Sequence, residues 1–107
     1  MVSLPYNKSM LFPTYTTTAR ISLIYLMEQR ERADENTKPR IDLAFNLICL
    51  RQDRKQSQKE VADALGVNQK NVSQWERGEI VPSLRYLIAL AKYHSVTIDR
   101  LLEPCKA

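Results

Sequence analysis

The stretch "VNQKNVSQWERG" at residues 67–78 gathers side chains that can read a hydrogen-bonding edge. If a helix opens at Asn68, Val72 and Trp75 lie three residues apart and share one side. Gln69, Lys70, Ser73, Gln74 and Arg77 then fall on the opposite side. A glutamine amide offers a donor and an acceptor in one plane, the complement of adenine N6 and N7. Lys70 can donate to guanine O6 and N7 or to a phosphate, and the shorter Asn71 and Ser73 suit the edge of such a contact. Arg77 suits a phosphate or solvent better than a base. Val72 and Trp75 are expected to pack inward, which leaves the polar side facing out.

The elements that must position this face are legible from residue 40 onward. A helix is expected from about Arg40 to Asp53, after a linker "NTKPR" in which Pro39 pushes Lys38 out of helical geometry. The next opens at Ser57, where "SQKE" has the form of a capping box, and buries Val61, Ala62 and Leu65. Gly66 ends it, because a tight stop needs left-handed backbone. Asn68 is a good N-cap for the polar helix, which runs to about Arg77 before Gly78. A fourth helix starts at Ser83 with Leu84, Leu87, Ile88 and Ala91 as its buried face. A short fifth is capped by Thr97, with Ile98, Leu101 and Leu102 apolar. Before residue 40, residues 1–18 read as a poorly ordered arm, and 19–35 as a helix capped near Thr18 with a strand as the alternative. The expected domains are an arm and extra helix over 1–39 and a helical domain over 40–104.

"ALGVN" leaves three or four residues between the second and third of these helices, the spacing of a helix-turn-helix. That turn makes the outer side of the second helix protrude, and the major groove of B-form DNA is wide enough to admit it. Arg51, Arg54, Lys55 and Lys59 gather around the turn before Ser57. There they can neutralise phosphates and set register without reading sequence. The helix start at Ser57 and Gln58 also presents backbone amides toward an anion.

Residues 43–102 resemble the phage-repressor, Xre-like (lambda-repressor-like) helix-turn-helix family. The resemblance is carried by the ordered set "SQ..VA..LGV....VS.WE.G...PS...L..LA....V..D.LL". It implies an all-α, five-helix DNA-binding domain, here with an extra N-terminal segment, that binds duplex DNA as a dimer on an inverted repeat. It puts the DNA-contacting positions at Gln58, Gln69, Lys70 and Gln74, with Asn71 and Ser73 adjacent. It also pairs Arg51 with Glu76 as a structural ion pair. The chain departs from the pattern at four positions. Lys55 stands where glycine is common, Gln56 where an apolar residue is, Ser95 where glycine is, and His94 at a usually apolar position. These bear on turn geometry and leave the DNA-facing set intact.

One feature lies outside the resemblance. The 40–53 helix carries Leu43, Leu47 and Leu50 on one stripe and Ile41, Phe45 and Ile48 on another. A second apolar stripe exposes a patch unless something covers it; the 19–35 segment is expected to do so through Ile21, Ile24 and Tyr25, from the same chain or a dimer partner, the alternative being a slightly greasy surface. The rival is that residues 1–26 are an extension with no role in folding.

Composition bounds the rest. The 107 residues are 44% apolar, enough for one modest core, and carry a net charge of +4 with a pI near 9.2. That balance permits an acidic partner without requiring one. Cys49 and Cys105 stand far apart and His94 alone, which gives no metal-ligand spacing. They read as free thiols, Cys49 in the core and Cys105 in a frayed tail. No Gly-rich phosphate loop or nucleophile–base pair points to an enzyme, and no cofactor is expected. "ISLIYLM" is too short to cross a bilayer and lacks the flanks of a secretory signal. The expectation is therefore a cytoplasmic, nucleoid-associated regulator, a repressor of prophage or small-operon type. The rivals are an antitoxin or restriction-modification controller with a protein partner at the N-terminal segment, and an interaction module that has lost DNA binding.

Overall fold

Residues Ile41 through Cys49 are buried without a break, so the helix that carries them has neighbours on every side. This is the central helix of a computed structural model that describes residues 14–105. Among those residues the elements are α1 (Thr17–Arg32), α2 (Lys38–Asp53), α3 (Gln58–Leu65), α4 (Gln69–Glu76), α5 (Leu84–Tyr93) and α6 (Ile98–Leu101). The architecture is all-helical: five helices from α2 onward, with an extra one before them.

Two hydrophobic clusters flank α2. Leu43 and Leu47 face Val61, Ala62, Val72, Trp75, Leu90, Ala91 and Leu101, which join α3 to α6. Ile41, Ala44, Phe45, Ile48 and Cys49 face Tyr15, Ala19, Leu23 and Leu26, with Cys105 at the margin. α1 runs antiparallel to α2. Arg30 Nε donates to Asp42 at 2.6 Å at one end, and the Thr16 amide donates to Gln52 Oε1 at 3.2 Å at the other. Asn46 ties the C-terminal tail to the same helix, donating to the carbonyls of Leu101 and Glu103 at 2.8 and 2.9 Å. Among the described residues no helix is long and apolar enough to cross a membrane.

Several local expectations need correction. The second stripe of α2 is covered from within the chain, but by Ala19, Leu23 and Leu26 rather than by Ile21 and Tyr25, which are exposed. Ile24 only flanks the cluster. The spacing 19, 23, 26 and the spacing 21, 24, 25 are both faces of one helix, and tertiary fit chose between them. Within the stretch up to residue 26, Tyr15, Ala19, Leu23 and Leu26 thus do take part in the fold. α1 starts at Thr17 rather than 19, with Thr16 as its N-cap accepting the Ala19 amide at 3.1 Å. The end of the supposed arm is therefore ordered, while residues 1–13 lie outside the described ones.

Lys38 is helical despite preceding Pro39. The Asp34 carboxylate accepts the Asn36 and Thr37 amides at 3.1 and 2.9 Å, and the Asp34 carbonyl accepts that of Lys38. This turn launches α2, and proline within the first helical turn loses no intrahelical bond. On α5 the buried residues are Leu90 and Ala91, whereas Leu84 is 67% exposed and Ile88 is also exposed. Cys105 is buried rather than frayed, its amide and thiol both donating to Asp42 Oδ1 at 3.0 Å. Burial pushes its thiol pKa up, the Asp42 carboxylate adding to the effect. Burial likewise pushes the Cys49 thiol up to about 12.

Candidate nucleic-acid interface

α3 and α4 meet at a sharp corner. Ser57 Oγ accepts the Glu60 amide at 3.0 Å, and Glu60 Oε1 accepts the Ser57 amide at 2.7 Å, so the capping box closes in both directions. Gly66 at φ 71° stops α3 in left-handed backbone, and the Val67 amide returns to the Ala62 carbonyl at 3.0 Å. α4 begins two residues later, after Asn68, whose side chain makes no capping bond. Val72 and Trp75 are buried, Trp75 lying 5.7 Å from the Tyr86 ring centroid. Gln69, Lys70 and Arg77 are exposed, and Asn71, Ser73 and Gln74 half-buried. The outer side of α4 is therefore a polar surface.

Behind it stands a buried ion pair. Arg51 Nε and Nη2 donate to the two carboxylate oxygens of Glu76 at 2.7 and 2.8 Å, and Nη1 donates to the Gln56 carbonyl at 2.9 Å. One guanidinium thus fixes α4 to the end of α2 and to the α2–α3 turn. A paired geometry of this kind orients well, and losing either partner leaves a buried charge uncompensated. Gln58 Nε2 donates to Glu76 Oε1 at 3.0 Å, and Gln69 Nε2 donates to Gln58 Oε1 at 3.4 Å. The carboxylate sets which end of the Gln58 amide faces inward, and Gln58 in turn holds Gln69.

The structure brings together part of the expected cationic set and commits part of it elsewhere. Arg54 donates to the Tyr93 carbonyl and lies 4.7 Å from the centroid of the Tyr93 ring, so it bridges α2 to α5. Lys59 pairs with Asp63 at 3.0 Å on the exposed face of α3. Arg77 donates to Glu79 at 2.8 and 3.1 Å and to Ser73 Oγ. Lys55 and Lys70 are exposed and make no ion pair among the described residues. The amides of Ser57 and Glu60 are taken by the capping box, so they are not open to an anion in this arrangement. The restraint on Arg77 by Glu79 was missed in the sequence, although a carboxylate two residues on was the available signal.

Both departures at glycine positions keep the backbone that glycine would favour. Lys55 has φ 56° and Ser95 φ 58°. The turn before α3 is thus left-handed, and the Arg51–Gln56 and Tyr93–Gln56 bonds close around it. His94 is buried with no hydrogen-bond partner for Nδ1 among the described residues, and its ring meets that of Tyr93 edge-on at 5.0 Å. Burial, and then the nearby Arg54 charge, lower its pKa from 6.5 to about 4.

The comparisons agree with this geometry. Residues 50–101 match the family described as Helix-turn-helix. Over 62 residues, 56% of this chain, it is 38% identical to the HTH-type transcriptional activator BcrR of Enterococcus faecalis. The chain spans 30% of the length of that relative. The crystal structure of a hypothetical transcription factor, NHTF, from Neisseria is similar at a TM-score of 0.61 and 30% identity. That likeness covers 68% of this chain and 83% of the other. With the α3–α4 corner and the buried Arg51–Glu76 pair in place, the chain belongs to the Xre-like helix-turn-helix family.

Proposed function

We propose that the chain is a sequence-specific regulator of transcription that binds double-stranded DNA through residues 40–104. The observation that carries this is the polar outer side of α4, held rigidly from behind by Arg51, Glu76 and Gln58. Gln69, Lys70 and Gln74 are assigned to base edges, with Asn71 and Ser73 beside them, each good pairing giving discrimination of about 1–3 kcal/mol. Lys55 and the Gln58 side chain are assigned to the phosphate backbone, which supplies salt-sensitive affinity, together with Arg54 and Lys59 once they leave the Tyr93 carbonyl and Asp63, and with Arg77. Arg77 must exchange Glu79 for a phosphate to do so.

One short helix touches few base pairs, so two copies on an inverted repeat, with half-sites about one helical turn apart, complete the site. The exposed Leu84 and Ile88, one turn apart on α5, with Ile80 and Val81 in the loop from α4, support pairing of two copies there. Repression by occluding a cytoplasmic promoter is the mode proposed, because it requires only tight operator binding. A second reading adds a protein partner, as in an antitoxin or restriction-modification controller. It is favoured by Ile21 and Tyr25, exposed one turn apart on the outer side of α1.

Selecting bound duplexes from a random pool, with sedimentation of the free protein, tests the main reading. An inverted-repeat consensus and a dimer that Leu84→Glu with Ile88→Glu dissociates are expected. Enrichment of a single half-site by a monomer would remove the dimer, and no enrichment by folded protein would remove the reading itself.

A further inference from the structure

We infer that α1 is part of the DNA-binding surface, its first turns forming one wall of a cleft that takes the sugar-phosphate backbone of a bound strand. This deepens the DNA-binding reading and rests on it. α1 is outside the residues matched to the helix-turn-helix family, which begin at residue 50.

The antiparallel pairing of α1 with α2 brings the start of α1 beside the α2–α3 turn. That end is pinned by the Thr16 amide on Gln52 Oε1 and by the Tyr15 hydroxyl, which donates to the Cys49 carbonyl at 3.2 Å and to the Asp53 carboxylate. Between the two elements lies a cleft of about 610 Å³. Thr14, Thr16, Thr18 and Ser22 line one side, and Lys55, Gln58, Gln69 and Arg77 the other.

Hydroxyl donors on one wall face Lys55 on the other, joined by Arg77 once it leaves Glu79, and such donors suit the charged non-bridging oxygens of a phosphodiester. Thr16 Oγ1 already accepts the Ala19 amide, which leaves its proton to donate. The two carboxylates at the cleft are committed, Glu60 to the capping box and Glu76 to Arg51. The cleft is continuous with the proposed reading face, because Gln58 and Gln69 border both. A duplex seated on α4 therefore runs its nearer strand past the threonine wall.

The experiment is duplex binding measured against salt, on the selected operator, for wild type, Thr14→Lys, Thr18→Lys and Asn36→Lys. Thr14, Thr18 and Asn36 are all exposed. Asn36 sits beyond the far end of α1, a helix about 24 Å long, and a charge there is screened over about 10 Å at 0.1 M salt. Each cleft lysine is expected to steepen the slope of log K against log salt by about 0.9 and to tighten binding roughly 3–10-fold at 0.1 M. The selected consensus should not change, and Asn36→Lys should match wild type. Equal gains from all three lysines would reduce the effect to general charge and overturn the inference. Wild-type slopes in both cleft variants would overturn it too, leaving the DNA-binding reading intact. Absence of salt-dependent binding by folded wild type would overturn both.

Discussion

The two faces of α2 are built by different means. Toward α3–α6, Leu43 and Leu47 enter a cluster assembled from four short helices, and Arg51 locks α4 in place through Glu76. Toward α1, Phe45, Ile41 and Ile48 meet one long helix, and Arg30 reaches Asp42 beside the Cys105 tail. Each side has an aliphatic seam closed by one ion pair, at opposite ends of α2. The difference is what each pair holds. The Arg51 side chain is 11% exposed and fixes the proposed reading helix, whereas that of Arg30 is 19% exposed and fastens a helix outside the family match. The first side positions the site, and the second keeps α2 from presenting a bare apolar stripe to water.

Each face of α2 can be disabled separately. Arg51→Met should cost about 3–5 kcal/mol in urea unfolding, since it strands the Glu76 carboxylate in the core. A loss under 1 kcal/mol would mean that the pair does not hold α4. Leu23→Ala, on the other face, should cost about 2–5 kcal/mol, as for other fully buried leucines. If α1 were a passenger, that substitution would be silent.

Acid should weaken both sides. His94 has a folded pKa near 4 against an ordinary 6.5. The unfolded chain therefore gains a proton first, and stability falls as pH drops from about 6.5 toward 4. The loss is about 1–2 kcal/mol once solvent access at the ring is allowed for. Burial alone would raise the pKa of Asp42, but hydrogen bonds from Arg30 and Cys105 outweigh it, so its carboxyl lies below the ordinary 3.8. Its contribution is lost only at still lower pH. Replacing His94 by Gln should flatten the upper part of the profile, a result that urea titrations at pH 7 and pH 4.5 would reveal. The smallest effect is expected at Ser95→Gly, a gain of about 0.5–1 kcal/mol from relieving left-handed strain; a lower melting temperature would contradict it.

Much of the α3–α6 half could be read from the sequence because its signals are local and fixed in spacing. Ser57 and Glu60 define a cap, Gly66 defines a stop, and Val72 with Trp75 defines an inward side. The α1 side was harder. The second stripe of Ile41, Phe45 and Ile48 pointed to a cover, but not to which face of α1 would supply it. Ile21 and Tyr25 are as apolar as Leu23 and Leu26, so periodicity alone does not choose the phase. Leu84 and Ile88 were misread for a related reason: an apolar position on an amphipathic helix can face a core or a second molecule. Cys105 reads as part of a frayed tail in the sequence because its partner, Asp42, is 63 residues away. The commitment of Arg54 to the Tyr93 carbonyl, 39 residues away, depends on tertiary geometry that spacing does not determine, whereas that of Arg77 to Glu79 had a local signal.

The most direct test of the central claim, that the outer side of α4 reads DNA sequence, is a comparison of duplexes selected by wild type and by a Gln69→Ala/Gln74→Ala variant at one moderate salt concentration. Readout by α4 gives a defined wild-type consensus and, for the folded variant, loss of preference at the base pairs these amides contact, while residual salt-sensitive affinity persists. An identical consensus from both proteins would place sequence readout elsewhere and contradict it.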